Sequence, residues 1–175
     1  LSCILITGGA RAGKSSYAQK LAAEIGEKVL FVATAEAKDE DMRLRIEKHK
    51  KSRPSHWKTL EAPKDVASVI ESAGGGYSVV IIDCITMLVS NVMLGAENET
   101  SAESEILKEI DALINVMKTS PATFILVSNE VGLGIVPDNE LSRNYRDLLG
   151  RANQLIASYA DGVYLLVAGI PVKIK

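Results

Sequence analysis

Residues 2–15 read SCILITGGARAGKS, and this stretch decides the fold. Residues 2–7 are a short apolar run with β-branched members, which predicts a strand. A glycine-rich turn follows, and an amphipathic run over residues 14–25 predicts a helix. Gly8, Gly9, Ala10, Arg11, Ala12, Gly13, Lys14 and Ser15 match the spacing GxxxxGK[ST]. Between a strand and a helix, that spacing makes chemical sense. Glycines let backbone N–H groups curl around phosphates, and the helix N-terminus adds partial positive charge. Lys14 reaches the β- and γ-phosphates, and the Ser15 hydroxyl ligates Mg²⁺. The stretch predicts a bound purine nucleoside triphosphate and phosphoryl-type chemistry. The bland alternative is a chance match within a glycine-rich turn.

Outward from this loop, strand and helix patterns alternate. Strands are predicted at 28–34, 57–60, 77–82, 123–128 and 162–167, with an edge piece at 172–175. Helices are predicted at 39–51, 64–72, 102–118 and 139–159. The second of these helices stops at the run Gly74, Gly75, Gly76. Pro54 limits the 39–51 helix. In the 139–159 helix, Leu141, Tyr145, Leu148, Leu149, Ala152, Leu155, Ile156 and Tyr159 share one face. Strands separated by helices predict an α/β fold with a mostly parallel, doubly wound sheet, like that of P-loop NTPases, in one domain over residues 1–175. Ligands in such sheets bind beyond the carboxyl ends of the strands.

The composition supports this class. Of 175 residues, 47% are hydrophobic and 24% charged, which is ordinary for a globular protein. A net charge of −2 argues against broad nucleic-acid binding. Cys3 and Cys84 lie in or beside apolar runs and read as small buried hydrophobes in a reducing compartment. Asp83 interrupts the longest apolar run, so no membrane span is expected. The chain opens directly on a strand and reads as cytoplasmic, although Leu1 leaves open another start.

Two further features sit near predicted strand ends. Asp83 ends YSVVIID and suits Mg²⁺, bound directly or through water; alternatively it caps the next helix. From Arg43 to Lys58 run seven basic residues, opposed only by Glu47. Such a run is usually a solvated helix face, but it also suits a second anion-contacting surface. His49 lies in its middle. A lone histidine there is ordinarily just solvated, yet surrounding cations favour the neutral, nucleophilic imidazole. Arg143, Arg146 and Arg151 read foremost as surface ion-pairing residues. No NKxD guanine-reading motif is present.

Several segments together resemble one family: ITGGARAGKS, RIEKHKKSRPSHWKTLE, IIDCIT, NEVGLGIVPDNELSRNYRDLLGRANQ and VAGIPVKIK. They resemble the bifunctional adenosylcobinamide kinase / adenosylcobinamide-phosphate guanylyltransferases of cobalamin biosynthesis. The resemblance covers nearly the whole chain, and its HKxxRPxHW and NEVGxGIVP segments are more specific than the phosphate loop. It implies phosphorylation of adenosylcobinamide by ATP or GTP, then transfer of GMP from GTP to adenosylcobinamide phosphate through a guanylylated histidine. His49 matches that histidine, not His56. The resemblance also implies nucleotide contacts from Ala33, Thr34, Ala35, Lys50, Lys51, Ser52, Arg53, Glu61 and Asp83. It further implies a homotrimer with active sites between subunits. Two departures stand out: Lys48 where some members have a second histidine, and Ala12 where a serine is common. A plain P-loop kinase for another alcohol would use Lys14, Ser15 and Asp83 but leave His49 idle. A nucleotide-dependent regulatory protein would make no small-molecule product.

Overall fold

The computed structural model describes residues 2–37, 40–51 and 53–175, with the backbone alone for Asp41, Arg45 and Lys48. Apolar side chains on both faces of the central strands require cover on both sides, and the chain provides it. In order, the elements are β1 (Cys3–Gly8), α1 (Lys14–Ile25), β2 (Val29–Ala33), α2 (Glu40–Lys51) and β3 (Lys58–Glu61). Then come α3 (Val66–Ser72), β4 (Val79–Asp83), α4 (Ile85–Gly95), α5 (Glu99–Thr119) and β5 (Thr123–Val127). The chain closes with α6 (Glu140–Tyr159), β6 (Gly162–Val167) and β7 (Ile170–Lys173).

The strands form one sheet in the order β3-β2-β4-β5-β1-β6-β7. Every pairing is parallel except β6 with β7. The α/β, doubly wound expectation therefore holds. Alternation along each strand divides the core. Ile4, Ile6, Phe31, Ile81 and Ile125 pack on the face covered by α1, whose Ala18 and Ala22 allow close approach. Leu5, Leu30, Val80, Ile82, Phe124 and Leu126 pack beneath α3, α4, α5 and α6. Each large side chain fully withdrawn from water contributes about 1.5–3 kcal/mol.

Helix α4 is absent from the pattern reading. Its sequence, ITMLVSNVMLG, buries Ile85, Leu88, Val89 and Val92 together with Thr86 and Asn91. A helix enclosed on several sides loses the polar stripe that marks amphipathic helices. Helix α5 begins earlier than predicted, because Asn98 and Ser101 form a reciprocal capping box. In α6, Leu149, Ala152 and Ile156 are buried as expected. Leu141, assigned to the same face, is 57% exposed, because the first turn of α6 lies beyond the core. For α2, the expected first residue Asp39 falls outside the described residues. No described helix is long and apolar enough to cross a membrane.

Candidate active site

The sheet register gathers the candidate residues along one edge. Glu61, Ala33, Asp83, Val127 and Ile6 form one row across β3, β2, β4, β5 and β1. All five strands are parallel, so the row marks their carboxyl ends. There the phosphate loop leaves β1. Gly8 (φ 148°) and Gly13 (φ 92°) adopt positive φ. A Cβ on Gly8 would come within 2.5 Å of the Leu166 carbonyl oxygen. The loop is braced from both sides, with Glu130 N donating to Gly8 O (3.0 Å) and Gly169 N to Ala12 O (3.0 Å). Gly13 caps α1 without a side-chain hydrogen bond, and no acidic residue occupies the first turn. The opening N–H groups of α1 and its positive dipole end thus remain available to an anion.

Lys14 is buried, and its Nζ donates to Gly9 O at 2.7 Å. Burial lowers its ammonium from the ordinary lysine range, while nearby Cys84 and Asp83 oppose that shift. Asp83 therefore faces the loop's lysine, although β4 and β1 are two strand spacings apart, roughly 10 Å. Its carboxylate makes no hydrogen bond with the described residues, and neither does the Ser15 hydroxyl that opens α1. Thr7 Oγ1, just before the loop, is buried without a partner. Cys84, next to Asp83, has its thiol pushed up to about 11 by burial and the neighbouring carboxylate. A thiol held neutral in this way is a poor nucleophile.

The basic segment meets this edge at Arg53 and Lys50. The Arg53 guanidinium stacks on Phe31, 3.7 Å from the ring centroid. Its Nε and Nη1 are buried without partners among the described residues. Burial pushes the guanidinium pKa below its ordinary range, with Asp83 and then Glu61 opposing. Arg53, Lys50, Ser55, Trp57, Thr59 and Glu61 line a pocket of about 480 Å³. Lys50 pairs with Glu61 across its rim. His49 and Lys51 are exposed on the last turn of α2. Ser52 lies outside the described residues, as do the side chains of Arg45 and Lys48. The charge of Asp83 bears on both Lys14 and Arg53, whereas Glu61, with which Lys50 pairs, stands four strand spacings from β1, roughly 19 Å.

The three arginines of α6 each have a partner in the structure. Arg151 pairs with Glu103 and Arg146 with Asp147. Arg143 instead donates to the carbonyls of Pro137 and Asp138, at 3.0 and 2.6 Å, and closes the loop before α6.

Pattern reading passed over a polar lattice beneath this edge. Thr34, Thr86, Asn91 and Ser128 are buried. Asn129 N donates to Thr86 Oγ1 (2.7 Å), and Ser128 Oγ donates to Asn153 Oδ1 (2.6 Å). Thr34, expected to touch nucleotide, is 0% exposed. The available signal was an Asn and a Thr inside the apolar run ITMLVSNVML.

Comparison with known proteins agrees with this geometry. Residues 4–174 match the family model described as cobinamide kinase / cobinamide phosphate guanyltransferase. The chain is 43% identical to the bifunctional adenosylcobalamin biosynthesis protein CobU of Salmonella typhimurium, covering 98% of this chain and 99% of that one. It is 41% identical to the protein of the same name from Escherichia coli, over the same shares. It is 42% identical to the bifunctional adenosylcobalamin biosynthesis protein CobP of Pseudomonas aeruginosa, covering 98% of this chain and 96% of that one. A phosphate loop facing an acidic strand end, with a match along nearly the whole chain, places this protein in the cobinamide kinase / cobinamide phosphate guanyltransferase family.

Proposed function

We propose that the chain, as a single domain, phosphorylates adenosylcobinamide with ATP or GTP and then transfers GMP from GTP to the resulting phosphate. The products of the second step are adenosylcobinamide-GDP and pyrophosphate. The observation that carries this reading is the Gly8–Ser15 loop, with its buried Lys14, set at the same carboxyl edge of the sheet as Asp83. Phosphoryl transfer depends on positioning and charge neutralisation more than on covalent help. The N–H groups of the Gly8–Ser15 loop hold the phosphate oxygens, and Lys14 exchanges its bond to Gly9 O for the transferring phosphoryl group. The unpaired Nε and Nη1 of Arg53 suit phosphate or carbonyl oxygens of a nucleotide.

Ser15 and Asp83 are the groups to hold Mg²⁺. Both are hard oxygen donors free of hydrogen bonds to the described residues, which is what this ion prefers. Among the described residues no group of three or more His, Cys, Asp or Glu gathers as a metal cluster. None is needed, because Mg²⁺ takes one or two protein oxygens and completes its shell with phosphates and water. Bound there, the ion neutralises charge on the β- and γ-oxygens.

For the second half-reaction, an imidazole nitrogen of His49 attacks the α-phosphorus of GTP. A phosphorus–nitrogen bond forms as the bond to pyrophosphate breaks. The phosphate of adenosylcobinamide phosphate then displaces histidine, which regains its lone pair. Support comes from the position of His49, one residue before the Lys50–Glu61 pair and four before Arg53. The same reading includes a homotrimer with sites between subunits, and a cytoplasmic protein whose Cys3 and Cys84 stay free thiols. The test is mass spectrometry of the intact protein after incubation with GTP and Mg²⁺. An acid-labile increase equal to GMP supports the transferase. Phosphorylated product without any adduct would reduce the reading to a kinase.

A further inference from the structure

Thr34 follows β2, and every polar atom it carries is engaged. Its N–H donates to Asp83 O at 3.1 Å. Its hydroxyl accepts from Cys84 N–H at 2.7 Å and donates to Cys84 O at 2.6 Å. The peptide unit joining Asp83 to Cys84 is therefore held at both its carbonyl and its N–H by one buried residue. Thr34 O in turn accepts from Asn91 Nδ2 at 2.8 Å, and the same amide nitrogen donates to Pro63 O at 3.1 Å. Asn91 thus ties the exit of β2 to the exit of β3, and Thr34 ties both to the strand end that carries Asp83.

This lattice is costly. Asn91 is 3% exposed on a largely apolar helix, and its Oδ1 is buried without a partner among the described residues. An unpaired buried acceptor costs about 1–3 kcal/mol. A leucine at the same position would remove that acceptor but leave the Thr34 and Pro63 carbonyls without their donor. The two carbonyls in front of it require a donor, which also fixes the orientation of the amide. The hydrogen bonds converge on the backbone around a carboxylate that itself makes none with the described residues. Such an arrangement sets the direction of a side chain without using up its oxygens.

We propose that Thr34 and Asn91 are positioning residues that aim the Asp83 carboxylate toward the metal–nucleotide site, Asn91 acting through Thr34. The inference rests on the reading of Asp83 as a metal-holding group. Supporting partners of this kind change metal affinity without touching the metal, by about 10–100-fold.

The test measures GTP binding by calorimetry, with and without Mg²⁺, for Thr34→Val, Thr34→Ser, Asn91→Leu and Asp83→Asn, alongside thermal melts. Thr34→Val keeps the shape but removes the hydroxyl; Thr34→Ser keeps the hydroxyl. The expected result for Thr34→Val is a loss of about tenfold in affinity for Mg²⁺-bound GTP, with metal-free binding changed less than about twofold. Thr34→Ser recovers most of that loss. Asn91→Leu moves in the same direction by about threefold to tenfold, and it still reports if Thr34→Val does not fold. A metal-selective loss in Asp83→Asn with a wild-type response in Thr34→Val and Asn91→Leu overturns the positioning role alone. A wild-type metal response in Asp83→Asn removes Asp83 from the metal site and overturns both. Equal losses with and without Mg²⁺ in the Thr34 and Asn91 variants reduce the lattice to a structural role.

Discussion

The phosphate loop and the basic helix α2 are the two most chemically marked stretches of the chain, and the fold holds them in opposite ways. The loop is braced at Gly8 and Ala12 by backbone hydrogen bonds, and its lysine is buried. Helix α2 buries no described side chain, and its described ion pairs, Arg43 with Glu40 and Glu47 and Lys50 with Glu61, lie at the surface. Exposed pairs of this kind contribute about 0–1 kcal/mol each. The loop is therefore a preorganised cradle, whereas the histidine proposed here to take GMP stands on an element with little of its own core. Two chemistries on one chain need not share one level of rigidity.

Replacing Lys14 by Ala tests how far the cradle serves both reactions. Turnover of each half-reaction at saturating nucleotide should fall about 10³-fold. Near-normal guanylyl transfer in this variant would show that the loop and α2 act on separately bound nucleotides. His49→Ala sharpens the comparison from the other side. The covalent GMP adduct and formation of adenosylcobinamide-GDP should disappear, while kinase turnover stays within about tenfold of wild type, because γ-phosphoryl transfer needs no protein nucleophile. His56→Ala should still form the adduct; its ring stands edge-on to Trp57 at a centroid distance of 6.4 Å. An adduct mapped to His56 or to a lysine would overturn the assignment.

A smaller effect concerns the stability of the loop side. Burial lowers the Lys14 ammonium in the folded protein, so near neutral pH the folded state bears a charge it disfavours. Lys14→Met should abolish turnover yet raise the thermal midpoint, by about 2–4 °C for each 1 kcal/mol gained. With the folded value below the unfolded one, the unfolded chain binds more protons between the two, and wild-type stability rises with pH there. The advantage of methionine should accordingly shrink as the pH is raised into the alkaline range. A growing advantage would contradict burial as the cause. The smallest change is expected at Arg151→Ala, whose surface pair with Glu103 should contribute under about 1 kcal/mol. Denaturant melts and both activities should be nearly unchanged; a large loss of turnover would bring Arg151 into the site.

Much of this molecule was legible because its signals are local. SCILIT, YSVVII and TFILVS announce buried parallel strands through unbroken apolar runs, and GGARAGKS needs only its neighbours to form a phosphate cradle. Asp83 was legible as a strand-end carboxylate. Helix α4 was not, because its surroundings bury it on several sides and erase the polar stripe. Leu141 shares the apolar face of α6 yet stays exposed, because periodicity assigns a face to a helix but does not say where the core ends.

By itself, then, the sequence determined the alternation of strands and helices, the phosphate loop, and the residue types available for two transfers. Tertiary structure alone decided the order β3-β2-β4-β5-β1-β6-β7. That order brings Asp83 within two strands of the loop that carries Lys14 and leaves Glu61 four strands from β1. It also decided that Thr34 holds the peptide after Asp83 and that Asn91 holds Thr34, across sequence separations of 50 and 57 residues. The physical reason is range. Strand propensity and loop conformation depend on a few neighbouring residues, whereas strand order and buried hydrogen bonds depend on which distant surfaces exclude water together.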